Sequence, residues 1–128
     1  MRITIGTGYT KNFSLLGDYT RNINEAFANS HEHSFSWFSE TLDSRPASWS
    51  KIPFAQKHLG DCDWFMWIDA DACFVKPTKL EEFTSDKHFL VVQKGPKLSL
   101  NAGVWLIKNC EQAHDFFTEV YLPKYHTK

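Results

Sequence analysis

The apolar positions of this 128-residue chain fall into short unbroken runs that alternate with stretches of helical spacing. Trp64 to Ile68 is the clearest run, five apolar or aromatic residues together. Such a run predicts a strand covered on both faces, as in the parallel sheets of α/β proteins. It stops abruptly at Asp69-Ala70-Asp71. Arg2 to Thr7 predicts a first strand, with Gly6 and Gly8 allowing a tight turn and close backbone approach. Ser34 to Phe38, His88 to Gln93 and the apolar part of Leu98 to Lys108 (Val104 to Ile107) read as further strands. Between the first two strands, Asp18 is placed to cap a helix from about Tyr19 to Ser30, with Ile23, Ala26 and Phe27 facing the sheet. Ser48 or Ser50 caps a second helix over Lys51 to Leu59, where Pro53 is tolerated in the first turn and Gly60 ends it. Glu40 to Ala47 reads as a loop, Pro77 to Thr84 as a turn with a short helical piece, and Lys94 to Lys97 as a turn. Cys110 to Tyr121 reads as a last helix with Ala113, Phe116, Phe117 and Val120 on one face. Strands alternating with helices predict an α/β fold. No repeat or composition break divides the chain, so residues 1–128 are expected to form one domain.

Composition narrows the partners. Hydrophobic content of 42% supports a real core, and 16% aromatic residues, with five Trp and eleven Phe, can also line a cleft that stacks on a base or a sugar. The net charge is −1 with no basic stripe, which argues against nucleic acid. No apolar run reaches transmembrane length. The first residues lack a signal-peptide core, and Cys62, Cys73 and Cys110 form an odd set without a CxxC pair. Neither a disulfide framework nor a zinc site is expected, and a reducing, cytoplasmic location is the simplest expectation.

Asp69 and Asp71 carry the sharpest chemical signal. Residues i and i+2 of a strand point to one side, so both carboxylates can converge just past the strand's carboxyl end, where open α/β sheets place ligands. Like charges this close repel unless a cation lies between them, and oxygen-only ligands suit Mg²⁺ or Mn²⁺. Two other readings stay open. One is a chance pair among 15 acidic residues on an exposed turn. The other is a phosphoryl-transfer site in which the first Asp is the nucleophile; that chemistry usually has Thr or Val where Cys73 stands. Thr7-Gly8-Tyr9, also at a strand end, can touch a nucleotide or simply form a βα turn. Without GxGxxG, dinucleotide binding is not supported. Lys51, near a helix start where the dipole disfavours a cation, is either a phosphate contact or a solvated surface lysine. His31 and His33 read as surface or capping residues at a helix-to-strand junction. Asn101 and Gly103, opening a strand, can present an amide to a ligand, though alone this signal is weak.

Four pieces in order carry a resemblance: Gly17-Asp18 before a helix, Trp49-Ser50-Lys51-Ile52-Pro53, Trp67-Ile68-Asp69-Ala70-Asp71-Ala72, and Asn101-Ala102-Gly103-Val104 running on to Lys108-Asn109. In these the chain resembles the GT-A nucleotide-sugar glycosyltransferases, most nearly the galactosyl-, mannosyl- and xylosyltransferases of the GT34 type. The resemblance implies a Rossmann-like, three-layer α/β/α fold with a mostly parallel central sheet. It implies metal-dependent transfer of a sugar from a UDP- or GDP-sugar to a hydroxyl of a glycan, lipid or protein acceptor, with retention of configuration. Asp71 would bind Mn²⁺ (or Mg²⁺) directly and Asp69 the ion or the donor ribose. Thr7, Gly8 and Tyr9 would lie along the nucleotide, Lys51 would hold the diphosphate, and Asn101 and Gly103 would line the donor-sugar side. Relatives continue past the Asn-x-Gly strand into a segment bearing a metal-shell His. The chain ends at Lys128, so the resemblance implies a short or truncated version: a minimal enzyme, a donor-binding module without catalysis, or a fragment whose partner piece is missing.

Overall fold

The computed structural model describes residues 1–40, 47–84, 86–95 and 99–121. Residues 41–46 of the loop expected over Glu40 to Ala47, residues 96–97 of the Lys94 to Lys97 turn and the residues after Tyr121 lie outside that set. Five strands form one sheet: β1 (Ile3–Gly8), β2 (Ser34–Phe38), β3 (Trp64–Ile68), β4 (Phe89–Lys94) and β5 (Ser99–Lys108). Their spatial order is β2-β1-β3-β5-β4. β1 pairs parallel with both β2 and β3, while β5 runs antiparallel to β3 and β4. Four strands therefore share one direction and β5 is reversed, which matches the expected mostly parallel sheet.

Helices cover both faces. α1 (Ser14–Ser30) lies on one, α2 (Lys51–Leu59) and α3 (Glu111–Val120) on the other. Strand alternation divides the core accordingly. Ile3, Ile5, Trp64, Met66 and Ile68 meet Phe27 and Ala28 of α1. Phe65, Trp67, Trp105 and Ile107 meet Phe54 and Leu59 of α2 and Phe117 of α3. All five residues of β3 are buried, the consequence of a strand with neighbours on both edges and helices on both faces.

Several local expectations are corrected. α1 begins at Ser14, not Tyr19; Phe13 precedes it without a side-chain cap, and Asp18 sits inside the helix. Its buried face is Thr20, Asn24, Phe27 and Ala28, while Ala26 is exposed and Ile23 half-buried. Hydrophobicity misplaced that face because two of its residues are polar and hydrogen-bonded. Ser50 precedes α2 without a side-chain cap, and Gly60 follows it at φ −65°, a conformation any residue adopts. Asn101 to Lys108 belongs to one ten-residue strand, β5, that starts before Asn101. Phe116 is partly exposed and turns toward Phe89, 5.5 Å away between ring centroids.

Candidate active site

The connection from β1 through α1 leads to β2 on one side, and β3 lies on the other side of β1. That reversal between β1 and β3 opens a crevice at their carboxyl ends, the place where open α/β sheets bind ligands. A cavity of about 500 Å³ occupies it, lined by Gly8 and Tyr9 after β1, Asp69 and Asp71 after β3, and Lys51 and Trp67. A second cavity of about 240 Å³ adjoins it toward β5, lined by Asp69, Asp71, Val92, Asn101 and Gly103. The two aspartates stand on the divide, contributing to both.

They reach that position differently from the strand alternation expected. β3 ends at Ile68, and Asp69 to Ala72 is a turn closed by the Ala72 N–H donating to the Asp69 carbonyl at 3.0 Å. The turn, not the pleat, sets both aspartates against the same two cavities. Asp69 is anchored at its backbone, where its N–H donates to the Gly103 carbonyl at 2.8 Å. Its Oδ1 accepts the Trp67 indole N–H at 2.6 Å and lies 3.7 Å from Lys51 Nζ. The Asp69 side chain is 39% exposed, so the ion pair is worth about 0–1 kcal/mol. A hydrogen bond to a charged group is worth about 1.5–3 kcal/mol. Trp67 is therefore the stronger hold on the carboxylate, a role the sequence reading did not assign to it.

β5 is shaped to meet this turn. Its pairing with β4 jumps from Val91↔Trp105 to Val92↔Asn101, an irregularity that frees the backbone between. Bulges of this kind re-aim groups beside sites. Here the Ala102 carbonyl accepts from Lys51 Nζ at 3.1 Å, and Asn101 Oδ1 accepts from the Gly103 N–H at 2.8 Å. A Cβ on Gly103 would stand 2.9 Å from Asn101 Oδ1 and 3.1 Å from Asp69 Oδ2. The glycine is thus what lets β5 approach the Asp69 carboxylate so closely.

Tyr9 forms the opposite wall. Its hydroxyl donates to Asp18 Oδ1 at 2.5 Å, and its ring lies so near Gly17 that a Cβ there would fall 2.4 Å away. Burial, and then the bond to Asp18, push the phenol up to about 12, so it stays a neutral donor. Gly17-Asp18 therefore seats Tyr9 rather than starting a helix. Trp37 stacks on Tyr9 at 5.8 Å and carries the Arg21 guanidinium 3.9 Å above its ring. Thr7 is apart from the others: it is 1% exposed and lines neither cavity. The fold thus brings Gly8, Tyr9, Lys51, Asp69, Asp71, Asn101 and Gly103 together and leaves Thr7 within the sheet.

The residues present fit a hard divalent cation. Both carboxylates line the two adjoining cavities, Asp71 is exposed, and Asp69 Oδ2 faces the β5 backbone at Gly103. Among the described residues no group of three His, Cys, Asp or Glu side chains converges.

No protein-family model matches the chain. It is 37% identical to a probable glycosyltransferase 6 of rice over 55% of its own length, which is 17% of that relative. It therefore spans about a sixth of that curated relative. A glycosyltransferase involved in glycosylating the major capsid of the virus PBCV-1 superposes with a TM-score of 0.73 at 18% identity, covering 94% of this chain and 65% of that one. The galactosyltransferase LgtC, solved with donor and acceptor sugar analogs, superposes with a TM-score of 0.60 at 14% identity, covering 100% and 66%. Sequence likeness and shared architecture agree, and the fold of this chain is the GT-A fold of the glycosyltransferases.

Proposed function

We propose that the chain carries the donor-binding half of a metal-dependent glycosyltransferase, which moves a sugar from a UDP- or GDP-sugar to a hydroxyl acceptor with retention of configuration. The observation that carries this reading is the meeting of two cavities on Asp69 and Asp71 at the sheet's switch point. The larger suits a nucleoside diphosphate, with Gly8 and Tyr9 along the nucleoside. The smaller suits the donor sugar and the approach of the acceptor, beside Asn101 and Gly103. LgtC, which shares the fold, was solved with both a donor and an acceptor analog.

Asp69 and Asp71 would hold Mn²⁺ or Mg²⁺, which as a Lewis acid neutralises the charge growing on a departing diphosphate. The chain's own residues do the rest. Trp67 fixes the Asp69 carboxylate, and Gly103 lets the β5 backbone close beside it. Lys51, held between Asp69 Oδ1 and the Ala102 carbonyl, keeps a positive charge at the cavity wall where phosphate oxygens would lie. In transfer with retention, the bond from the sugar's anomeric carbon to the phosphate oxygen breaks. The acceptor oxygen bonds on the same face, and its proton passes to the departing phosphate.

The test is a titration of UDP, GDP and their sugars with and without Mn²⁺, followed by thermal shift and calorimetry. A ligand bound only by the native state raises the melting temperature. Cation-dependent binding of a nucleoside diphosphate supports the reading; binding indifferent to the cation counts against it. A second reading, a nucleotide-sugar binding module without turnover, is favoured by the convergence of only two carboxylates among the described residues. Release of nucleoside diphosphate in the presence of acceptors separates the two. Within the first reading, Lys51→Ala weakens binding of the diphosphate about tenfold and of the nucleoside hardly at all. Equal losses for both would assign Lys51 a structural role instead.

A further inference from the structure

The sheet-facing side of α1 carries polar groups that donor binding does not use. Thr20 is 6% exposed and Asn24 is fully buried, and with Phe27 they stand one above another at helical spacing. Each meets the segment that follows β3. The Thr20 hydroxyl donates to the Ala70 carbonyl at 2.7 Å. Asn24 Nδ2 donates to the Ala72 carbonyl at 3.1 Å, and its Oδ1 accepts from the Phe74 N–H at 3.0 Å. The Phe27 ring stacks on Phe74 with centroids 3.6 Å apart. Residues 72–75 have no helix or strand of their own, so one helix face supplies the partners that a neighbouring strand would otherwise give. Asp71 lies between the Thr20 and Asn24 attachments.

We infer that Asn24, assisted by Thr20, is a positioning residue: it braces the turn that carries Asp71 and so fixes the spacing of the two carboxylates, setting which divalent cation they hold and how tightly. This rests on the reading of Asp69 and Asp71 as a cation site for a nucleoside diphosphate. The chemistry requires a carboxamide. The backbone of residues 72–74 offers one acceptor and one donor, and a carboxamide presents the complementary pair on two separate atoms of one planar group. Asp at position 24 would face the Ala72 carbonyl with a second acceptor, and Leu would leave both backbone groups unpaired. The consequence for selectivity follows from ion size. Mg²⁺ demands near-ideal octahedral geometry at short distances, whereas Ca²⁺ accepts flexible, longer coordination. A loosened turn therefore penalises the small ion more.

The test measures cation affinity in the presence of UDP for the full chain, for Asn24→Leu and for the milder Thr20→Val, using Mg²⁺ and Ca²⁺. Melting temperatures are recorded alongside, and Phe117→Leu, in the core layer on the opposite face of the sheet, serves as a destabilised control. Asn24→Leu is expected to weaken Mg²⁺ about tenfold and Ca²⁺ by less than about threefold. Thr20→Val moves the same ratio in the same direction by a smaller amount. Phe117→Leu lowers the melting temperature and leaves the ratio unchanged. A lowered melting temperature with an unchanged ratio in both α1 variants overturns the brace. Should Asn24→Leu not fold, Thr20→Val alone decides. If the unmodified chain shows no cation-dependent UDP binding, the site reading itself has failed. The two failures are distinct, because amide exchange at Phe74 still reports whether Asn24 holds the segment.

Discussion

Asp71→Ala is expected to abolish cation-dependent binding of a nucleoside diphosphate, a loss of at least about a hundredfold, while the melting temperature hardly moves. Both halves follow from where Asp71 stands. It is exposed at the tip of a turn, so its removal leaves the core intact, and surface substitutions of this kind usually change stability by no more than about 0.5 kcal/mol. Yet among the described residues it is one of two acidic groups at the junction of the cavities, and on the proposed reading removing one of the two carboxylates would leave the cation held by little besides the phosphates. Asp71→Asn gives nearly the same loss, because it keeps the size and the turn but removes the charge. Asp69→Asn is informative in a different way: its Oδ1 can still accept the Trp67 N–H, so the residue stays oriented while its charge is gone. Calorimetry with and without Mn²⁺, alongside thermal melts, checks the pair of effects. Unimpaired affinity in Asp71→Ala would remove this residue from the site.

What could be read in advance was governed by how local the physics is. β3 was legible to the residue because a strand buried on both faces must be apolar at every position, and Trp64 to Ile68 is. The Asp-x-Asp position at its end was equally plain. The mechanism of convergence was not, since a β-turn and a strand both bring residues i and i+2 near each other. α1 was misread at its start because Asp18 looks like a cap. Its carboxylate instead accepts from Tyr9, a partner nine residues earlier that sequence spacing does not reveal. The same blindness hid Thr20 and Asn24. Polar residues on a helix are assigned to solvent unless their partners are known, and these partners are backbone groups 48 to 50 residues away. The β5 irregularity was out of reach for the same reason, whereas the Trp67 indole contact is local, to a residue two positions on, and was hidden because it depends on how the turn folds back on the strand end.

These features share one logic. The crevice is set at the sheet's switch point, but its fine geometry comes from three outside supports: α1 under the turn, Trp67 beside Asp69, and β5 brought close by Gly103. An acidic pair in a loop would otherwise be mobile and self-repelling. Holding the Asp69 carboxylate from Trp67, and the backbone on either side of Asp71 from α1, is the preorganisation that the proposed cation site needs.

Phe65→Ala is expected to be the most destabilising single change in the core, by about 3–5 kcal/mol, lowering the melting temperature by on the order of 10 °C or more. Phe65 is fully buried in β3, between Phe54 of α2 and Trp105 of β5. Its ring also fills the space left by Gly6 across the β1–β3 pair, where a Cβ would fall 2.6 Å from Phe65 Cζ and 2.9 Å from Phe54 Cε2. Glycine at position 6 is therefore a packing requirement of the ring. Gly6→Ala alone should cost about 1–3 kcal/mol, because the new methyl would press on two buried rings at once. In the Phe65→Ala background the sign reverses: the new methyl enters the cavity, the Phe54 ring gains room to shift away from it, and stability rises relative to Phe65→Ala. Denaturant melts of the two single variants and the double variant measure this coupling directly. Additive losses would mean that Gly6 and Phe65 do not share that space.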